Sequence, residues 1–318
     1  MKVGLALGSG GARGLAHIGV IQALEALDIQ VDYIAGSSMG ALVGAIYASQ
    51  QSLEPLKSLV DETTWTSVAR LFFPTFSKGG LVTGKRVVEL LEETIQARDF
   101  SDLKIPLAVD TTDLNTGRLF TITEGNLIEA VRASISIPLI FTPVPWEDKL
   151  LVDGGLLSPV PVQTVRSLGA DFIISVNVLG QGNGWVKAPN STTLSEQLKT
   201  ERDEHNILSR LLHPEHHNDE IDPQTKRHNA IFIVAQTIGI GVGKLAKYQI
   251  HYEKPDINLE PDTAQISIYD FHRGDEIIGN AFTLAYNEIK REMSDLRIDL
   301  SEVAKHEGND QLSNPPIS

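Results

Sequence analysis

The ten residues Ile34-Ala35-Gly36-Ser37-Ser38-Met39-Gly40-Ala41-Leu42-Val43 restrict this chain more than any other stretch. They join an apolar strand end to an apolar helix start through a turn of small residues. Gly36-x-Ser38-x-Gly40 fits the G-x-S-x-G nucleophile elbow. A serine held between strand and helix cannot hide its hydroxyl in the sheet. Glycines on either side let strand and helix approach without a Cβ clash. The free N–H groups of the helix N-terminus face the same point. Alone, the pattern also fits an ordinary Gly/Ser turn, so its reading depends on what surrounds it.

The surroundings alternate. Val3 to Leu7 is a short apolar run ended by glycine and predicts a buried strand. Leu15 to Leu27 has helical periodicity, with Leu15, Ile18, Val20, Ile21, Leu24 and Leu27 on one broad face. Val31 to Ala35 predicts a second strand, and Met39 to Ser49 the helix after the elbow. Strand, loop, helix, strand, elbow, helix implies parallel strands with right-handed crossovers.

The loop Gly8-Ser9-Gly10-Gly11-Ala12-Arg13-Gly14 has two readings. A dinucleotide fingerprint needs G-x-G-x-x-G, but the sixth position from Gly8 is Arg13, and Asp32 sits near the start of its strand rather than the end. The favoured reading is an oxyanion hole: consecutive glycines leave backbone N–H groups unshielded, next to the elbow.

Further along, Leu53 to Leu59 and Val87 to Arg98 predict amphipathic helices. Between them, Trp65, Phe72, Phe73 and Phe76 stand beside Gly79, Gly80 and Gly84, either as an apolar lid or as a helix pair packed on the core. Ile105 to Asp110 and Gly117 to Ile122 predict a hairpin turning at Asn115-Thr116-Gly117, followed by a helix over Leu127 to Ala133. Pro143 to Trp146 reads as extended and Lys149 to Val152 as a strand. That strand stops at Asp153-Gly154-Gly155, so Asp153 reaches a sheet edge, as a site residue or as part of a plain D-G turn. A helix over Val162 to Leu168 and a strand over Ala170 to Val178 follow. Residues 181–229 lose the pattern and predict a polar, flexible insertion; His213, His216 and His217 beside Asp219 and Glu220 fit a solvated loop better than a metal site. Ala230 to Lys247 predicts a helix, Asp256 to Leu259 and Ala264 to Ile268 strands, and Gly274 to Met293 a closing helix. The expected organisation is a core over 1–180, the insertion 181–229, a C-terminal part over 230–300 completing the same domain, and a disordered tail over 305–318.

Composition excludes several functions. With 42% hydrophobic and 21% charged residues the chain is ordinary for a globular protein. A net charge of −14 speaks against a nucleic-acid partner and against purely electrostatic attachment to anionic lipid; membrane contact would need apolar side chains. No cysteine means no disulfide, thiol nucleophile or thiolate metal site. The opening Met1 to Gly8 is broken by glycines too early for a signal core, and the expected location is cytoplasmic, with transient peripheral contact at the membrane as the alternative.

A serine nucleophile needs a base. Candidate histidines after Asp153 (His205, His213, His216, His217, His228, His251, His272, His306) lie mostly in polar, loop-like sequence, and His17 has apolar neighbours that suit a structural role. Asp153 is the best-placed base. An ordinary Asp, near pKa 3.9, is weakly basic; burial raises that value.

Gly10-Gly11-Ala12-Arg13-Gly14, the elbow, Ala133-Ser134-Ile135-Ser136-Ile137-Pro138 and Asp153-Gly154-Gly155 stand in the order found in patatin-like phospholipases, whose bacterial members the chain resembles, strongly over residues 1–180. Ser9 departs from the family's usual third glycine. The resemblance implies a three-layer α/β/α sandwich with a mainly parallel sheet. It implies a Ser–Asp dyad with Ser38 as nucleophile and Asp153 as base, an oxyanion hole of Gly10, Gly11 and Ala12, and Arg13 as a support of that loop. No cofactor or metal is expected. The expected activity is a serine acyl hydrolase on fatty acyl esters of phospholipids or lysophospholipids. The alternatives are a carboxylesterase on soluble esters and a non-catalytic lipid-binding module; a nucleotide-dependent oxidoreductase is the most distant.

Overall fold

A computed structural model describes residues 1–53, 85–180 and 230–295. Strands are β1 (Val3–Leu7), β2 (Tyr33–Ser37), β3 (Leu107–Asp113), β4 (Arg118–Ile122), β5 (Val144–Trp146), β6 (Lys149–Asp153), β7 (Phe172–Val176) and β8 (Ile257–Leu259). Helices are α1 (Ala16–Ala26), α2 (Met39–Gln50), α3 (Lys85–Thr94), α4 (Leu127–Ser134), α5 (Val162–Ser167), α6 (Ala230–Glu253) and α7 (Gly274–Asp295). The sheet runs β5-β6-β3-β2-β1-β7-β8, with β4 also on β3. Pairs among β3, β2, β1, β7 and β8 are parallel; β4, β5 and β6 pair antiparallel.

Strand alternation builds the two outer layers. Val3, Leu5, Leu7, Ile34, Leu107, Val109, Ile174 and Val176 face one side, under α1, α2, α4 and α7. Ala6, Ala35 and Ala108 face the other, aligned in register across three strands. Their small side chains let α5 and α6 come close, through Val162, Val165, Val242 and Ala246. The fold is thus the expected α/β/α arrangement, mostly parallel with an antiparallel flank.

One detail of register positions the site. β3 has two edges. β4 occupies residues 109–113 along one of them. The opposite edge therefore holds both β2, whose last pair is Ser37 with Asp110, and β6, whose last residue Asp153 pairs with Thr111. β2 and β6 run in opposite senses and meet end to end along β3. Residues after Ser37 and at Asp153 are brought face to face although 115 residues separate Ser38 from Asp153.

Ala264 to Ile268, expected as a strand, is a pair of turns. Ile266 and Ile268 are buried, as the alternation required. Their carbonyls, however, serve the glycine-rich loop instead of a sheet edge: Ile266 O accepts from Arg13 Nε and Ile268 O from the N–H of Ala12. The second strand starts two residues later than expected, at Tyr33. The aromatic stretch around Phe72, the insertion with its histidine cluster and the tail lie outside the described residues.

Candidate active site

Ser38 is the junction of β2 and α2. Its backbone has φ 53° and ψ −119°, a conformation unusual for a non-glycine residue. Such strain costs on the order of 1–3 kcal/mol and persists only where packing imposes it. Here the imposing contacts are explicit. A Cβ at Gly40 would sit 2.0 Å from the Leu7 carbonyl oxygen, and one at Gly36 would sit 2.5 Å from Ala41 Cα. The helix start is therefore wedged against the end of β1.

The Ser38 hydroxyl donates to Asp153 Oδ2 at 2.6 Å. The other carboxylate oxygen, Oδ1, accepts the Gly155 N–H at 2.7 Å, which fixes the carboxylate plane. Both side chains are buried, at 5% and 2% exposure. Burial pushes the Asp153 carboxyl up to about 6, against the opposing pull of the Ser38 hydroxyl and the Gly155 N–H. Its basicity is thereby brought close to neutral pH.

Two residues that the sequence reading quoted without a role, or passed over, hold this pair in place. Ser134 Oγ accepts the Ser38 N–H at 2.9 Å and donates to the Asp110 carbonyl at 2.7 Å, so it ties the elbow to β3. Asp110 is fully buried and accepts from Thr121 and Thr164 hydroxyls at 2.6 and 2.8 Å. Burial also raises its pKa. Gly154 runs so close to Asp110 that a Cβ would lie 2.1 Å from its carbonyl oxygen. The run of small residues Ala133 to Ser136 was the available signal for this packing.

The glycine-rich loop leaves β1 next to the elbow. Its flanking amides are engaged: Gly8 N–H with Val176 O, Ser9 N–H with Pro159 O, and Ala12 N–H with Ile268 O at 3.0 Å. Among the described residues no acceptor takes the N–H of Gly10 or Gly11. Ala12 thus departs from the expected trio, because its amide anchors the loop to the turn at Ile268. Arg13, buried at 4% exposure, donates from Nε to Ile266 O at 2.7 Å and from a terminal nitrogen to Leu179 O at 3.4 Å. Ser9 sits against Gly155, where a Cβ would meet the Ser9 hydroxyl at 2.6 Å. His17 donates from Nε2 to Gly8 O at 2.7 Å. Complete burial pushes this imidazole down to about 4, so the ring is neutral and holds the loop. Among the described residues no cluster of three metal-ligating side chains occurs.

A strained serine at a strand–helix elbow, hydrogen-bonded to a buried carboxylate at the end of a mixed α/β sheet, places the chain among α/β proteins built around such an elbow. The chain belongs to the patatin-like phospholipase family, whose model matches residues 5–166, just over half of its length. It is 36% identical over 197 residues to an uncharacterized NTE family protein of Mycobacterium tuberculosis, covering 62% of this chain and 54% of that protein. It is 33% identical over 184 residues to patatin-like phospholipase domain-containing protein 6 of Homo sapiens, covering 56% of this chain and 13% of that protein. Lysophospholipase NTE1 of Pyricularia oryzae is 34% identical over 183 residues, 56% of this chain and 12% of that protein. The chain spans about half the length of the mycobacterial relative and a small fraction of the other two.

Proposed function

We propose that the protein hydrolyses fatty acyl esters of phospholipids or lysophospholipids, with Ser38 as nucleophile and Asp153 as base. The observation that carries this is the 2.6 Å hydrogen bond from a strained serine to a carboxylate of raised pKa. Asp153 Oδ2 takes the hydroxyl proton as Ser38 Oγ attacks the ester carbonyl. The amides of Gly10 and Gly11 receive the oxyanion. The intermediate collapses, Asp153 returns the proton to the leaving alcohol, and acyl-Ser38 remains. A water then gives its proton to Asp153 and attacks the acyl carbon. Collapse restores the Ser38 hydroxyl and frees the fatty acid. The Gly155 amide keeps Oδ1 occupied throughout, so Oδ2 handles both proton transfers.

The lipid class is supported by the family and by the naming of one relative as a lysophospholipase. The test is intact mass after a long-chain fluorophosphonate, on wild type and Ser38→Ala. One adduct on wild type and none on the variant is expected; equal labelling of both overturns the assignment. Turnover rising with acyl chain length supports the lipid substrate, and preference for acetyl esters overturns it.

A further inference from the structure

Helix α6 carries an apolar face that nothing among the described residues covers. Of the nine large hydrophobic side chains that stay exposed among the described residues, five are on this helix: Ile233 (53%), Val234 (45%), Ile240 (58%), Tyr248 (61%) and Tyr252 (74%). At 100° per residue they fall, with Lys244, Lys247 and His251, within an arc of about 140°. The opposite side is the one that packs. Val242 and Ala246 are buried against Val160, Val165, Leu179 and Ile268. Gln249 donates to Leu157 O at 3.2 Å, and Glu253 accepts the Gln163 N–H at 2.9 Å.

Charge and side-chain composition together identify the partner. No acidic residue occurs from 230 to 252 in a chain of net charge −14, and the lysines stand among the isoleucines and tyrosines. Apolar side chains mixed with tyrosine and snorkelling lysine suit the boundary between lipid headgroups and acyl chains. The buried side of α6 rests on Leu157 and Val160, in the loop that follows Asp153, and on Ile268, which anchors Ala12. The exposed arc lies on the other side of the helix from these contacts. We propose that α6 is the surface by which this protein lies on a phospholipid bilayer, with Ile233, Val234 and Ile240 entering the interface and Lys244 and Lys247 meeting the headgroup phosphates. The choice of a bilayer rests on the lipid-substrate reading; the test below does not depend on turnover.

The full chain carrying Ser38→Ala is sedimented with sucrose-loaded vesicles of phosphatidylcholine, with and without phosphatidylglycerol. Binding to both is expected, stronger with the anionic lipid. Adding Ile233→Glu and Ile240→Glu is expected to weaken partitioning roughly tenfold or more. Adding Lys244→Glu and Lys247→Glu should cost about tenfold on anionic vesicles and little on neutral ones. The same pairs in the Ser38 protein should leave hydrolysis of a soluble short-chain ester unchanged, which reports an intact fold. If the isoleucine pair fails to fold, the exposed lysine pair carries the test. No vesicle binding by the parent, or unchanged binding by folded variants, overturns the proposal. So does a parent dimer that Ile240→Glu converts to monomer without vesicle binding, since the occupant is then a second copy.

Discussion

Glycines in the elbow and glycines in α6 are the same residue under opposite constraints. At Gly40 a Cβ would meet the Leu7 carbonyl oxygen at 2.0 Å, and at Gly154 the Asp110 carbonyl oxygen at 2.1 Å. At Gly241 and Gly243 a Cβ would meet nothing within 4 Å among the described residues. In the first region glycine is required by backbone lying against backbone, which neither repacking nor a rotamer change relieves. In the second it is required by no contact and weakens the helix that holds it. The core of the site is thus a region where backbone is fixed by neighbouring backbone, whereas α6 is anchored on one side only among the described residues.

The largest effect expected from breaking that contrast is at Gly40. Gly40→Ala should lower stability by about 3 kcal/mol, because the obstructing atoms are main chain. Even if folded, it should lose on the order of 100-fold or more in ester hydrolysis, because Ser38 moves relative to Asp153. Denaturant melts and kcat/KM read the two effects. A variant near wild type in both would show that the elbow does not need this approach.

Asp153→Asn sharpens the comparison by separating stability from activity within the tight region. The amide keeps the shape but cannot accept a proton, and a loss of about 10²–10⁴ in kcat/KM is expected. Stability should move the other way. Asp153 is raised from 3.8 to about 6 by burial, so folding favours its protonated form. That contribution is complete below about pH 4 and is lost as pH rises through 6. Above pH 6 the ionised carboxylate therefore costs the fold about 3 kcal/mol, the free-energy equivalent of the shift. Asp153→Asn should exceed wild type by about that amount at pH 8, with the difference vanishing near pH 4. His17 has the opposite slope: lowered from 6.5 to about 4, it favours folding when neutral and loses that contribution as pH falls from 6.5 to 4. The two oppose each other in wild type, and the variant exposes the His17 slope. Wild-type kcat/KM should rise with pH to a plateau above about 6. A variant no more stable at pH 8 than at pH 4, relative to wild type, would remove burial as the source of Asp153's basicity.

What the sequence made legible follows the same division. Ser38, Asp153 and the glycines stand in local patterns, strand then turn then helix, that a reader can follow without coordinates. β1, α1, α2 and the β3–β4 hairpin are where periodicity and the Asn115-Thr116-Gly117 turn put them. The meeting of β2 and β6 along one edge of β3 is not legible, because it is set by register on a third strand. The Ala12 amide bonds to Ile268, more than 250 residues away, and no local pattern marks it. The alternation of Ile266 and Ile268 signalled burial correctly, but not that the backbone between them would serve a loop rather than a sheet.

The smallest effect tests the open side. Gly241→Ala and Gly243→Ala should each raise stability by at most about 1 kcal/mol, since alanine gains helix propensity and meets nothing. Hydrolysis of a soluble ester should be unchanged, because α6 reaches Leu157 through Gln249 rather than through these positions. A loss of stability would instead mean that the glycines face a packed surface in solution. Since a Cβ there has no obstruction among the described residues, the obstructing atoms would have to come from outside them. The contrast between the two sets of glycines would then be one between two packed surfaces, the first made of main chain and the second of atoms beyond α6's described neighbours.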